Sequence, residues 1–183
     1  AKIAQDAADF LSSIGHKDSA NFKNGDAIIH SLRASGGARS FAAGNHIGLG
    51  KHATTSTAVH EIGHVLERDP NFAALAQGFL NKRCGDEWPH VRYRGKHGPE
   101  YGREDHFNAA FGDADSYVGK HYDHGATEVF AMGLQKLYED PVGFAKKDPE
   151  YFNLMVGAMS GKIKSSGKVQ PWGSAAEPRR AAV

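Results

Sequence analysis

Cysteine is almost absent from this chain. Cys84 is the single one in 183 residues, so no internal disulfide framework can form and folding has to rest on a packed core. Long apolar runs are missing too. None approaches the ~20 residues of a membrane-spanning helix, so no membrane span is expected. Neither sign of charge is in excess. The 22 basic and 21 acidic residues leave a net charge of +1, and no global field argues for a nucleic acid as partner. Neither an initiator methionine nor a recognisable signal peptide opens the sequence; Ala1-Lys2-Ile3 reads as if mid-chain. The expectation is a processed product or a domain cut from a longer protein, secreted or delivered as its C-terminal part.

What is present suits one globular unit. The length and a hydrophobic content of 40% suffice for a single core. Residues 1–160 read as that domain. Over 161–183, Lys, Ser, Gly, Pro and Ala dominate, which predicts a flexible tail.

Histidine is plentiful, with 11 residues. Two of them sit in His60-Glu61-Ile62-Gly63-His64, an H-E-x-x-H motif. Shuffling a chain of this composition gives roughly 0.03 such matches, so the surrounding residues have to decide. Thr54 to Thr57 supply helix N-cap candidates. Ala58, Ile62, Val65 and Leu66 follow at helical spacing, and Asp69-Pro70 ends the run. The motif therefore lies on an amphipathic helix over about 55–68. One turn separates the histidines, so both imidazoles leave the same face, with Glu61 beside them. Two histidines on such a face suit Zn²⁺, and the glutamate suits a general base acting on water. The plainer alternative is two surface histidines on an ordinary helix.

The rest of the chain divides by the same rules. Helical spacing predicts helices over 3–14, with Gly15 as its stop, 26–34, 71–83, 126–138 and 149–159. Two short strands, Arg39–Ala43 and His46–Leu49, flank a Gly44-Asn45 turn. Residues 84–108 show no helical period, and a hairpin or long loop is expected around Val91–Arg94 and Tyr101.

A catalytic zinc needs a third protein ligand. The metzincin continuation would place glycine and histidine where Glu67 and Pro70 stand, so that class is excluded. Glu128 is the leading candidate. It opens an otherwise apolar helix, where an unpaired carboxylate would be costly to bury. Its competing role is an N-terminal acid favoured by the helix dipole. Glu67, one turn beyond His64, is the rival ligand. An oxyanion-stabilising group is expected among Tyr117, His121, Tyr122 and His124, with Tyr122 first and Tyr117 and His124 as alternatives.

With His60, Glu61, His64, Val65-Leu66-Glu67 and a later Glu128, residues 39–138 resemble the gluzincin branch of the zincin metalloproteases. The resemblance implies an α+β, zincin-like fold, mostly helical, with a small sheet whose edge strand lines the active-site cleft. It places Asn45, His46, Ile47 and Gly48 on the strand that would pair with an extended protein or peptide substrate. It implies a zinc-dependent endopeptidase with Glu61 as base. A looser likeness, over Ser116–Gly133, is to zincin-type domains of phage head-morphogenesis proteins and bacterial polymorphic toxins. The chain departs from the larger thermolysin pattern in having no substantial second domain after the third ligand. A different class of function is a catalytically silent zincin-like binding or structural domain within a larger assembly. A third is a metal hydrolase acting on another bond.

Overall fold

The computed structural model describes residues 2–15, 31–84, 91–92, 106–107, 116–120 and 125–166. At its centre is helix α2, Thr55–Leu66, which carries the H-E-x-x-H motif. Thr54 caps it: its side chain accepts from the Thr57 amide, and the Thr57 hydroxyl accepts from the Thr54 amide. Ala58, Val59, Ile62, Val65 and Leu66 are fully buried. They pack against α1 (Lys2–Ser13), a small sheet, and a later helix, α4 (Val129–Glu139). Helix α1 stops where the sequence predicts, at Gly15, whose φ of 103° suits glycine.

The sheet has three strands, β1 (Ser31–Ala34), β2 (Phe41–Ala43) and β3 (His46–Leu49), in the order β1-β3-β2. Strands β2 and β3 form the expected hairpin, with Ala43 opposite His46. Gly44 takes a φ of 59°, as the first residue of a type II′ turn does. Strand β1 runs parallel to β3 and pairs Leu32 with Ile47. Here the helix expected over 26–34 is corrected. Residues 31–34 form a strand, and 26–30 lie outside the described residues. A short apolar run is ambiguous between the two periods, and pairing with β3 decides it.

Three Asp-Pro pairs start helices. Asp69-Pro70 begins α3 (Pro70–Cys84), Asp140-Pro141 begins α5 (Pro141–Lys147) and Asp148-Pro149 begins α6 (Pro149–Met159). Each aspartate accepts a hydrogen bond from a nearby amide: Asn71, Gly143 and Tyr151 respectively. Proline at the first helical position costs nothing there. Helix α5 was not among the elements predicted from sequence. Arg83 ties α3 to α6, donating to both carboxylate oxygens of Asp148 and to Glu150. Val91–Arg92 (β4) pairs antiparallel with His106–Phe107 (β5), within the stretch expected to hold a hairpin. Tyr101 lies outside the described residues. A 3₁₀ turn spans Ser116–Gly119. The architecture is thus α+β, with six helices and a small mixed sheet among the described residues. At the start of the expected tail, Gly161 has a φ of 70°, and the Ser165 amide donates to Asn71. Residues 167–183 lie outside the described residues.

Helix α2 comes very close to α4 at Gly63. A Cβ added there would stand 2.4 Å from the Ala131 Cα, which is backbone and cannot turn aside. Gly63→Ala should therefore lower stability by about 1–3 kcal/mol, from overpacking. Gly78→Ala, in α3 with nothing within 4 Å of the new methyl, should stabilise by up to ~1 kcal/mol. Chemical denaturation of the two variants checks the contrast.

Candidate metal centre

Glu128 immediately precedes α4, and the contact between α2 and α4 sets it opposite the two histidines of α2. Its Oε2 lies 3.5 Å from the His60 Nε2 and 3.4 Å from the His64 Nε2. The three ligand atoms all fall within 4.8 Å of one another. These separations exceed the ~2.7–2.9 Å of a charge-assisted hydrogen bond. They match the ~3.3–3.4 Å edge of a tetrahedron whose arms are about 2.0–2.1 Å, the zinc–nitrogen and zinc–oxygen lengths. Two imidazoles and one carboxylate are the donor set of a catalytic zinc that keeps a position open. The three residues form a group that could hold a metal ion.

His60 is oriented from behind. The His60 Nδ1 stands 3.0 Å from the Gln135 side-chain oxygen, to which it donates. The Gln135 amide donates to Glu139, which also accepts from the Ser56 hydroxyl. That chain fixes the tautomer that leaves the His60 Nε2 lone pair toward Glu128. Gln135 was missed from sequence. Its signal was present, seven residues after Glu128 and hence on the same helical face.

Glu67 and Glu128 divide the two roles that sequence left open. Glu67 is 1% exposed and is not in the ligand cluster. Its carboxylate accepts from the Thr127 amide at 2.8 Å and the Phe130 amide at 3.5 Å. It therefore serves the backbone at the start of α4, the task proposed for Glu128 as an N-terminal acid. Glu128, at the N-cap position, makes no side-chain cap hydrogen bond. Its carboxylate points to the histidines instead.

Electrostatics follow burial. Burial pushes His60 below the ordinary imidazole value, against the pull of Glu128. Burial also works to lower His64, but Glu128, Glu67 and Glu61 together hold it above that value. Glu61, 8% exposed, is raised by burial, with Glu128 adding and His64 and Arg39 opposing. Glu67 is raised by burial to about 7, despite its hydrogen bond from Thr127.

A cavity of about 420 Å³ opens on the centre. His60, Glu61, His64 and Glu128 line it, together with Tyr117. Tyr122, His121 and His124 lie outside the described residues. The expected substrate strand needs correction. Residues 46–49 form the middle strand, paired on both sides, so their backbone offers no edge. Asn45, His46, Ile47 and Gly48 do not line this cavity, and the last three line a separate groove on the sheet. The strand beside the candidate centre is β2, through Phe41 and Ala42, with Ser40 just before it. The reason is the parallel partner β1, which the sequence pattern disguised as helix.

No family model matches the chain, and neither does any curated protein or solved structure.

Two outcomes are expected. Protons compete with metal for the histidines, so zinc affinity should fall as pH drops through the His64 titration, which lies above the ordinary ~6.5. Competition with a chromophoric chelator across that range measures it, and His64→Ala or Glu128→Ala should abolish tight binding. The second concerns Glu67. Its folded value near 7 exceeds the ordinary 4.5. Its contribution to stability is therefore greatest below pH 4.5 and declines as pH rises toward 7. Between those limits the metal-free protein should lose roughly 3 kcal/mol relative to Glu67→Gln, as read from denaturation curves.

Proposed function

We propose that this chain is a small zinc-dependent endopeptidase of the gluzincin type, hydrolysing peptide bonds of a protein or peptide substrate. The observation that carries the reading is the convergence of His60, His64 and Glu128 beside the buried carboxylate of Glu61, in one cavity. Zinc bound by the three donors would lower the pKa of a water toward ~7 and polarise a substrate carbonyl. Glu61 takes a proton from the attacking water and returns it to the leaving amine. Its raised pKa suits both steps, because it makes the carboxylate a better base and its acid easier to retain. Tyr117 lines the same cavity and is the described residue suited to the oxyanion, with Tyr122 and His124 kept as alternatives.

Substrate pairing fits β2. The two-residue turn makes Ala43 and His46 a hydrogen-bonded pair, so Ala42 opposite Ile47 is a non-bonded one. The Ala42 N–H and C=O then point away from β3, along the edge beside the cavity. An extended peptide laid there gains backbone hydrogen bonds without regard to its side chains. Glu61 argues against a silent structural domain, since a closed structural site needs no base beside its ligands. A role as an effector domain of a longer protein rests on the toxin-like resemblance alone.

Glu61→Gln should keep zinc at wild-type stoichiometry and lose about 10²–10⁴-fold in peptide hydrolysis. Metal analysis alongside a broad peptide-cleavage screen checks both. Peptidase activity retained in that variant would overturn the reading. Tyr117→Phe should also keep zinc, with kcat reduced by about 10²–10³-fold if its phenol serves the oxyanion.

A further inference from the structure

Tyr151, in α6, buries a hydroxyl that the proposed hydrolysis does not use. Its ring is held on two sides. Phe79 of α3 stacks on it with centroids 5.0 Å apart, and Phe144 of α5 meets it edge-on at 5.0 Å. The Tyr151 amide donates to Asp148, which Arg83 of α3 holds through both carboxylate oxygens. A ring fixed in this way aims its hydroxyl at one place, and the hydroxyl donates to the Val129 carbonyl. Burial raises the phenol well above the ordinary tyrosine value, so it stays a donor. Val129 is the residue next to Glu128.

Glu128 depends on outside support for its position. It stands at the N-cap of α4, where the first-turn amides have no partner within the helix and the end is prone to fray. Glu67 of α2 accepts from the Thr127 and Phe130 amides, and the Thr127 hydroxyl accepts from the Val129 amide. Those contacts satisfy donors. Tyr151 holds the same turn by a carbonyl, and from α6. A carbonyl has two lone pairs, so this bond adds to the helical one without displacing it. Helix α6 is itself seated closely on α4, where a Cβ added at Gly133 would stand 2.5 Å from the Met155 sulfur.

We propose that Tyr151 is a positioning residue for the candidate metal centre, holding the turn that carries Glu128 where His60 and His64 can share a cation with it. This rests on the reading of those three residues as metal ligands. A buried phenol that merely finds a partner would contribute to stability alone. Metal–ligand distances tolerate only about ±0.2 Å, so a turn freed to shift by more loses metal while the helix persists.

Tyr151→Phe supplies the test, because it keeps the stacked ring and removes only the oxygen. Its zinc affinity, read by competition with a chromophoric chelator, should fall roughly tenfold, at the low end of what groups behind metal ligands carry. Cobalt(II) loaded in place of zinc should show an altered visible absorption spectrum, which reports the geometry of its ligands. Leu11→Val, a core deletion in α1, is the control for stability alone. It should lower the unfolding midpoint, keep zinc affinity within about twofold and leave the cobalt spectrum unchanged. Wild-type affinity and spectrum in Tyr151→Phe overturn the inference and leave the metal centre intact. So does an equal loss of affinity in Leu11→Val. Unaltered protein that binds neither zinc nor cobalt overturns the metal reading, and this inference with it.

Discussion

Helices α2 and α4 meet backbone to backbone at Gly63 and Ala131, where a Cβ on the glycine would stand 2.4 Å from the Ala131 Cα. That contact sets how far Glu128, just before α4, stands from the histidines of α2. Imidazole and carboxylate ligands tolerate only a few tenths of an ångström around their bond lengths. A helix spacing relaxed by one methyl would therefore spoil the centre while leaving both helices formed. Packing at Gly63 and chemistry at His60 and His64 are one constraint, which is why the glycine lies inside the motif-bearing turn.

The same crossing gathers three carboxylates in a small volume, and each is handled differently. Glu67 is buried from α2 against the amides of Thr127 and Phe130, and so secures the backbone on either side of Glu128. Because another residue serves those amides, Glu128 can turn its own carboxylate to the histidines. Glu61 borders the cavity and keeps enough contact with water to exchange a proton. Three acids in one fold region would ordinarily argue against a stable core. Here a division of surroundings accompanies their presence: Glu67 meets the backbone, Glu128 the histidines and Glu61 the cavity.

Much of this was legible in the sequence, for local reasons. The motif helix, its threonine cap and its proline stop depend on residues within a few positions of one another, and the structure follows them. The Gly44-Asn45 hairpin is equally local. Glu128 as a ligand candidate followed from its cost in an apolar helix, and the structure places it opposite both histidines. What failed was non-local. Residues 31–34 read as helix because their periodicity is ambiguous and their parallel partner lies 15 positions away at His46–Leu49. Because β1 pairs there, the strand that the resemblance nominated for substrate, at 46–49, is a middle strand. The backbone role of Glu67 was also out of reach, since it depends on which helix lies opposite.

Without a cation the centre is electrostatically unsettled. Burial raises Glu61 and Glu67, Glu128 raises Glu61 further, and His64 is raised by all three. Each shift records a charged form that the surroundings disfavour or an attraction between imidazole and carboxylate. A divalent cation among His60, His64 and Glu128 would change the sign of that balance. It would draw the carboxylates toward ionisation and the imidazoles toward neutrality, the states that ligands and base require. Metal and fold would then stabilise one another.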